Sequence, residues 1–273
     1  DHGSGGAILL AANAALRSGA GLLSVATRAE HVPALLARRP EAMAHAVDDV
    51  AQLAPLLSRA SVIAIGPGLG QGDWGRQVLE AALASALPCV VDADALNLLA
   101  SSGQCLRGQD VATPHPGEAA RLLGITTSEV QRDRFAAAQA LQARLGCTLV
   151  LKGAGSIIAS AGQPPSVICA GNPGMAVGGM GDVLTGIIAA LLAQGMAAGE
   201  AALAGALLHA VAGDAAARED AERGLLPEEF KLLGYQPAQW AAEDTVRIRH
   251  HGLTLNLTGE VDRAQAFCEG KHN

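Results

Sequence analysis

Ser61-Val62-Ile63-Ala64-Ile65-Gly66-Pro67-Gly68-Leu69-Gly70 is an apolar, β-branched run that stops abruptly in a glycine-rich turn. An apolar run of this length with no polar alternation reads as a strand buried on both faces, and the glycines after it as a turn whose backbone can approach a ligand closely. A helix is expected next, near Asp73 to Ser85. The unit then recurs. Cys89-Val90-Val91-Asp92 leads to a helix from about Asp94, Val111-Ala112-Thr113 leads to one at Pro116, and a long helix from Ser128 to Leu145 feeds Thr148-Leu149-Val150-Leu151-Lys152. Upstream, Gly5 to Arg17 has apolar residues at helical spacing and Leu22 to Ala26 reads as a short strand. Downstream, Ser156 to Ser160 and Ser166 to Cys169 form a hairpin around Gly162-Gln163-Pro164-Pro165. Such alternation implies right-handed crossovers and an α/β fold, with a mostly parallel central sheet covered on both faces.

The 273 residues are half hydrophobic, with only three Phe, one Tyr and two Trp, so the core must be built from closely packed Ala, Leu, Val and Ile. A formal charge of −7 with no basic, aromatic-interleaved stretch excludes a nucleic-acid groove and points to a small ligand. The apolar run from Val183 to Ala193 is too short to span a bilayer, and hydropathy after it is cut by Gly199, Glu200, Gly205 and Asp214. No membrane partner is expected. Cys89, Cys105, Cys147, Cys169 and Cys268 are odd in number and lack zinc-ligand spacing, so they read as thiols in a reducing cytosol, and a cytoplasmic location follows. The start at Asp1, without methionine or signal pattern, reads as a fragment.

Each polar or glycine-rich motif follows a strand, so the fold should gather them along one sheet edge, where ligands bind in parallel sheets. The densest is Gly171-Asn172-Pro173-Gly174-Met175-Ala176-Val177-Gly178-Gly179-Met180-Gly181-Asp182, which runs into the apolar Val183-Leu184-Thr185-Gly186-Ile187-Ile188. Glycines before a helix start offer backbone N–H groups and partial positive charge to an anion. Asp182 would then sit beside a bound phosphate, within reach of an attacking hydroxyl. The alternative is a tight turn with Asp182 as the helix N-cap.

Taken in order, Gly5-Gly6-Ala7, Gly66 to Gly70, Asp92-Ala93-Asp94-Ala95-Leu96-Asn97, Thr113-Pro114-His115-Pro116-Gly117-Glu118, Lys152-Gly153-Ala154-Gly155-Ser156 and Gly171 to Asp182 form a specific set. Over roughly Asp1 to Leu226 the chain resembles the carboxy-terminal domain of the NAD(P)H-hydrate repair enzymes, the ADP/ATP-dependent NAD(P)H-hydrate dehydratases of the ribokinase-like superfamily. The resemblance implies a three-layer ribokinase-like sandwich over residues 1–226, with 227–273 a tail of unassigned role. It also implies that the family's first strand, which precedes the position of Asp1, is missing from this fragment. The implied reaction is dehydration of the S epimer of NADHX or NADPHX, restoring NAD(P)H while ADP is consumed to AMP and phosphate.

By that resemblance Asp182 is the catalytic base. Lys152, Gly153, Ala154, Gly155 and Ser156 hold ADP, or ATP, together with Asn172, Pro173, Gly174, Met175, Ala176, Val177, Gly178, Gly179, Met180 and Gly181. Ala7, Gly68, His115, Pro116, Gly117, Glu118 and Asp182 meet the hydrated nicotinamide nucleotide. No protein metal ligand is assigned; Mg²⁺ is implied with the nucleotide, Asp94 and Asn97 orienting phosphates through it and water, although an N-cap explains Asp94 equally well. Lys152 also reads as an edge lysine and His115 as a capping residue of a proline-bounded turn. An upstream epimerase domain and a homo-oligomer are expected. The rival functions are a ribokinase-like small-molecule kinase and a non-catalytic adenine-nucleotide-binding protein.

Overall fold

The computed structural model describes residues 1–220, 222–229, 247–250 and 253–256. In chain order the elements are α1 (Gly5–Arg17), β1 (Ser24–Thr27), α2 (Val32–Arg38), β2 (Met43–Ala46), α3 (Ala54–Leu57), β3 (Ile63–Ile65), α4 (Asp73–Ala84), β4 (Cys89–Val91), α5 (Ala93–Ser102), β5 (Val111–Ala112), α6 (Pro116–Leu123), α7 (Thr127–Arg132), α8 (Arg134–Leu145), β6 (Thr148–Leu151), β7 (Ser156–Ala159), β8 (Ser166–Ile168), α9 (Met180–Ala193) and α10 (Ala198–Asp220). A backbone hairpin of β9 (Arg247–His250) and β10 (Leu253–Asn256) lies in the 227–273 tail. Apart from this hairpin and Pro227–Glu229, that tail lies outside the described residues.

The main sheet runs β3-β4-β5-β6-β7-β8, parallel from β3 to β6 and antiparallel across β6-β7 and β7-β8. Because the parallel strands advance in one direction, right-handed crossovers must all pass over the same face. Accordingly α4, α5, α6 and α8 pack with Cys89, Val91, Ala112, Leu149 and Leu151 on one side. The alternate residues Val90, Val111, Val150 and Ile158 face the other side, where α1, α9 and α10 supply Ala14, Val183, Ile187, Ile188, Ala202 and Ala206. Three layers result, with the second face covered by helices from the two ends of the fold.

That second face is assembled without large aromatics, so its helices approach closely. A Cβ on Gly186 of α9 would overlap the Ala11 carbonyl oxygen of α1 and lie 2.9 Å from Ala14 Cβ. Gly205 of α10 meets Ile188 in the same manner, with its would-be Cβ 2.6 Å from Ile188 Cγ1. The glycines read as interruptions in the hydropathy are therefore packing surfaces within a continuous helix. Among the described residues no helix is long and apolar enough to cross a membrane.

Three local expectations change. The single helix expected over 128–145 is two, because Asp133 leaves helical geometry and its Oδ1 accepts from Ala136 N–H at 2.9 Å, capping α8. Helix α9 begins at Met180 instead of Val183. Cys169 is disulfide-bonded, not a thiol, while Cys89, Cys105 and Cys147 are free. Burial pushes Cys89 and Cys147 up to about 12, with Asp110 acting in the same sense, so neither is a nucleophile near neutrality.

Gly186→Val should cost about 2 to 3 kcal/mol by forcing α1 and α9 apart. Urea unfolding followed by circular dichroism measures this, and a variant within about 0.5 kcal/mol of the parent would contradict the close packing.

Candidate active site

The strand ends are sewn together beyond the strands themselves. Asp92 N–H donates to the Ile65 carbonyl at 3.0 Å, Thr113 N–H to Val91 at 3.0 Å, and Lys152 N–H to Pro114 at 2.9 Å. Gly66, at φ +124°, turns the chain so tightly that any Cβ would overlap the Asp92 carbonyl oxygen. Ala93, directly after Asp92, has φ +46°, a left-handed conformation that costs an L-residue roughly 1 kcal/mol or more. The backbone is thus bent sharply at Asp92, whose side chain is 1% exposed.

The Lys152 ammonium sits at the centre of this edge. It is 2.6 Å from Asp92 Oδ1 and 4.0 Å from Glu118 Oε2. Asp92 Oδ2 accepts from the hydroxyl of Thr185, a fully buried residue of α9, at 3.0 Å. Burial alone would lower the lysine's pKa, but Asp92, Glu118 and Asp182 together hold it above the ordinary value, so the ammonium stays charged. The same burial pushes Glu118 up to about 7, against the pull of Lys152 and with Asp92 reinforcing the rise. Above the pair lies Gly181. A Cβ there would stand 3.0 Å from Lys152 Nζ and 3.2 Å from Asp92 Oδ2, so a bare backbone lets α9 start directly over the ammonium.

Gly179, in the left-handed region at φ +93°, is the N-cap of α9 and no side chain caps it. Asp182 is therefore a first-turn residue and the capping alternative for it is excluded. Its half-buried carboxylate takes no hydrogen bond from a described residue. Burial pushes it up to about 6, with Asp92 and Asp94 acting in the same sense and Lys152 opposing. The glycine loop divides in two. Gly174, Met175 and Ala176 spend their N–H groups inside a turn, on Asn172 Oδ1 and the carbonyls of Asn172 and Pro173. Those of Val177, Gly178, Gly179, Met180, Gly181 and Asp182 have no partner among the described residues, which is the donor array an anion needs at a helix start.

The remaining residues singled out in the sequence fall into two groups. His115, Gly117 and Glu118 join the Lys152 cluster: His115 Nδ1 accepts from Gly117 N–H at 3.0 Å while Glu118 Oε2 accepts from His115 N–H at 2.7 Å. His115 is thus a cap with a half-exposed ring; burial lowers its pKa, helped by Lys152, consistent with an unprotonated Nδ1. Ala7 and Gly68 meet each other, since a Cβ on Gly68 would be 3.4 Å from Ala7 Cβ. Asp94 is occupied by Gly70 N–H at 2.8 Å and Gln71 Nε2 at 3.1 Å, and Asn97 Oδ1 by Arg121 at 2.8 Å. Asn172 to Ala176 are tied to α10 and not to Lys152: Asp214 accepts from Gly171 N–H and Asn172 Nδ2, both at 3.0 Å.

Sequence reasoning missed Asp214, Thr185, His209 and Arg134. Arg134, at the start of α8, donates to the carbonyls of Leu151 at 3.2 Å, Lys152 at 3.4 Å and Ala154, wrapping the Lys152–Ser156 turn. The helix break at Asp133 is what aims it there. His209 of α10 is half-buried, bonded to the Met180 backbone and pushed down to about 4, chiefly by desolvation and then by Lys152. Nothing in spacing marks these residues.

Residues 1–232 match the family described as NAD(P)H-hydrate dehydratase. The bifunctional NAD(P)H-hydrate repair enzyme of Coxiella burnetii is 54% identical over 230 residues, which cover 84% of this chain and 47% of that protein. The chain thus spans about half the length of such relatives. The ADP/ATP-dependent NAD(P)H-hydrate dehydratase of Bacillus subtilis, co-crystallised with ATP and Mg²⁺ and soaked with CoA, superposes with a TM-score of 0.75 at 30% identity, covering 85% of this chain and 86% of that one. The hydroxyethylthiazole kinase of Pyrococcus horikoshii shares the fold alone, with a TM-score of 0.57 at 19% identity over 81% of this chain and 90% of its own.

The position of Asp182 carries a stability cost with a definite sign. Its pKa is about 6 in the fold against the ordinary 3.8 of an aspartate, so folding binds a proton between those limits and stability falls as pH rises through them. Asp182→Asn should therefore stabilise the fold at pH 7 by at most about 3 kcal/mol, the gain vanishing below about pH 4. Thermal melts of both proteins across that range give the comparison; a variant less stable at pH 7 would refute the burial argument.

Proposed function

The chain belongs to the NAD(P)H-hydrate dehydratase family, and on that premise we propose that it restores NAD(P)H from the S epimer of NADHX or NADPHX while converting ADP to AMP and phosphate. One observation carries the reading. A half-buried carboxylate that takes no hydrogen bond from a described residue, its pKa raised to about 6, stands one residue beyond a glycine seated over the Lys152 ammonium, at a helix start whose first N–H groups have no partner among the described residues.

In the proposed step the hydroxyl oxygen on C6 of the hydrated ring attacks the β-phosphorus of ADP and Asp182 takes its proton. The bond between the β-phosphorus and the bridging oxygen breaks, and AMP leaves with that oxygen. Charge on the transferred phosphoryl is met by the N–H groups from Val177 to Gly181, the helix start and Lys152. The ring-nitrogen lone pair then expels phosphate from C6, and loss of the C5 proton to water restores the C5–C6 double bond. Hydroxide is a poor leaving group and phosphate a good one, which is why a dehydration consumes a nucleotide.

The Lys152–Ser156 turn, gripped by Arg134, is assigned to the adenine nucleotide, and the His115–Glu118 cap with the Ala7–Gly68 contact to the nicotinamide nucleotide. Mg²⁺ is assigned as a companion of the nucleotide's own phosphates. Among the described residues no three His, Cys, Asp or Glu side chains could hold a metal ion, and Asp94 is already engaged. Residues 1–226 are taken as the dehydratase domain, with the epimerase expected in an upstream domain and a homo-oligomer as the working form.

Incubation with NADHX and ADP should return the near-ultraviolet absorbance of reduced nicotinamide, with AMP formed in equal amount. AMP or a phosphorylated small molecule without that absorbance would favour the kinase reading. Asp182→Asn should lower kcat at least about a hundredfold with little change in ADP affinity, whereas near-parental turnover would remove Asp182 from the chemistry. Since the base must be ionised, kcat should fall as pH drops through about 6, following the protonation of Asp182.

A further inference from the structure

We propose that Asp92 and Thr185 are positioning residues for phosphoryl transfer: together they hold the Lys152 ammonium beneath the Gly181 backbone, at the floor of the anion site, and keep it out of an ion pair with Asp182. The proposal deepens the functional reading above and rests on it for the identity of the transferred group.

The geometry supplies both a need and a device. Three carboxylates, Asp92, Glu118 and Asp182, surround one ammonium, and an ammonium on a flexible four-carbon stem goes wherever its strongest partner stands. Glu118 Oε2 already accepts from the His115 backbone, and Glu118 lies 4.0 Å from Lys152. Asp182 has no hydrogen bond from a described residue, so it is the open alternative. At present Lys152 makes its 2.6 Å contact with Asp92 and no ion pair with Asp182.

Asp92 can impose that choice because it cannot itself move. Its backbone N–H is bonded to Ile65, its carbonyl is pressed against Gly66, and its Oδ2 is held at 3.0 Å by Thr185, which is 0% exposed. The left-handed Ala93 beside it is an outlier maintained by these constraints, the kind of local strain that persists where a residue must be aimed. Thr185 belongs to α9, the helix whose first turn carries Gly181 and Asp182, so one hydrogen bond ties the ammonium's holder to the element bearing the base. If Asp92 were lost, the ammonium would turn to Asp182. An ion-paired Asp182 is a weaker base and is partly blocked by the lysine, so proton transfer would slow even though the positive charge stayed in the site.

The charged groups facing Asp182 are Asp92, Asp94 and Lys152, with Glu118 facing it only through Lys152. Asp92→Asn also removes a direct repulsion on Asp182, so a double-mutant cycle with Lys152→Met is needed to separate the two effects. Steady-state turnover of NADHX with ADP, calorimetric ADP binding and NMR titration of the Asp182 carboxylate would be measured for the parent, both single variants and the double variant. Asp92→Asn should lower kcat at least about tenfold, leave the ADP Kd within about threefold, and make Asp182 titrate at least about one pH unit lower. In the Lys152→Met background it should do far less to both kcat and the titration. Thr185→Val should reproduce part of each effect and Thr185→Ser should restore the parental values. Additive effects of Asp92→Asn and Lys152→Met, or losses in ADP affinity as large as those in kcat, would overturn the proposal. If Asp92→Asn does not fold, the Thr185 pair decides by the same criteria. A parent that does not act on NADHX would reject the functional reading, while the Asp182 titrations would still decide where the ammonium is held.

Discussion

The contact between the Lys152 ammonium and the Asp92 carboxylate is the constraint around which this edge of the protein is organised. Both charges are largely removed from water, and two such ions persist only when each is paired and further hydrogen-bonded. Asp92 meets that requirement through Thr185, and Lys152 through its proximity to Glu118. Each of those partners comes from a different element: Asp92 from the end of β4, Lys152 from the end of β6, Glu118 from the first turn of α6, Thr185 from α9. The pair therefore fixes four elements relative to one another, and a glycine at position 181 is what allows the last of them to close over it.

Placing the Asp182 carboxylate beside this pair has a cost that the fold absorbs. Asp182 is half-buried and shares its surroundings with Asp92 and Asp94, so burial first and then those charges disfavour its ionised form. Ala93 is held in a conformation that most side chains avoid. Conversely, the elements away from the edge are regular: continuous helices, satisfied caps at Asp49, Thr126 and Asp133, and two apolar layers with alternating strand residues. Of the two non-glycine residues in the left-handed region, Ala93 adjoins the Lys152–Asp92 pair, whereas Ala86 precedes β4 at the far end of that strand.

Much of the architecture was legible in the chain. Runs such as Ile63–Ile65, Cys89–Val91 and Thr148–Leu151 have the continuous apolar character of strands covered on both faces, and the glycines after them marked where the backbone turns at the ligand edge. Met43–Ala46 was missed because a short, weakly apolar edge strand carries no such pattern, and the break at Asp133 because one capping residue inside helical periodicity leaves the periodicity intact. The glycine loop was read as one anion-binding unit. Its first half is instead a self-closed turn anchored by Asp214, a residue 43 positions from Gly171 whose role no local pattern could reveal.

By itself, then, the sequence determined the class of fold, the strand-end motifs and the identity of the candidate base, because periodicity and glycine placement are local properties of the chain. Only the tertiary structure decided that the crossover helices lie on one face, that Asp182 is not a cap, and that Lys152 answers to Asp92 and Glu118. It alone brought Arg134 and Thr185 to the site. Those facts depend on distances between residues far apart in the chain, such as the 93 positions separating Asp92 from Thr185. Such distances are fixed by packing the apolar layers, and no local signal encodes them.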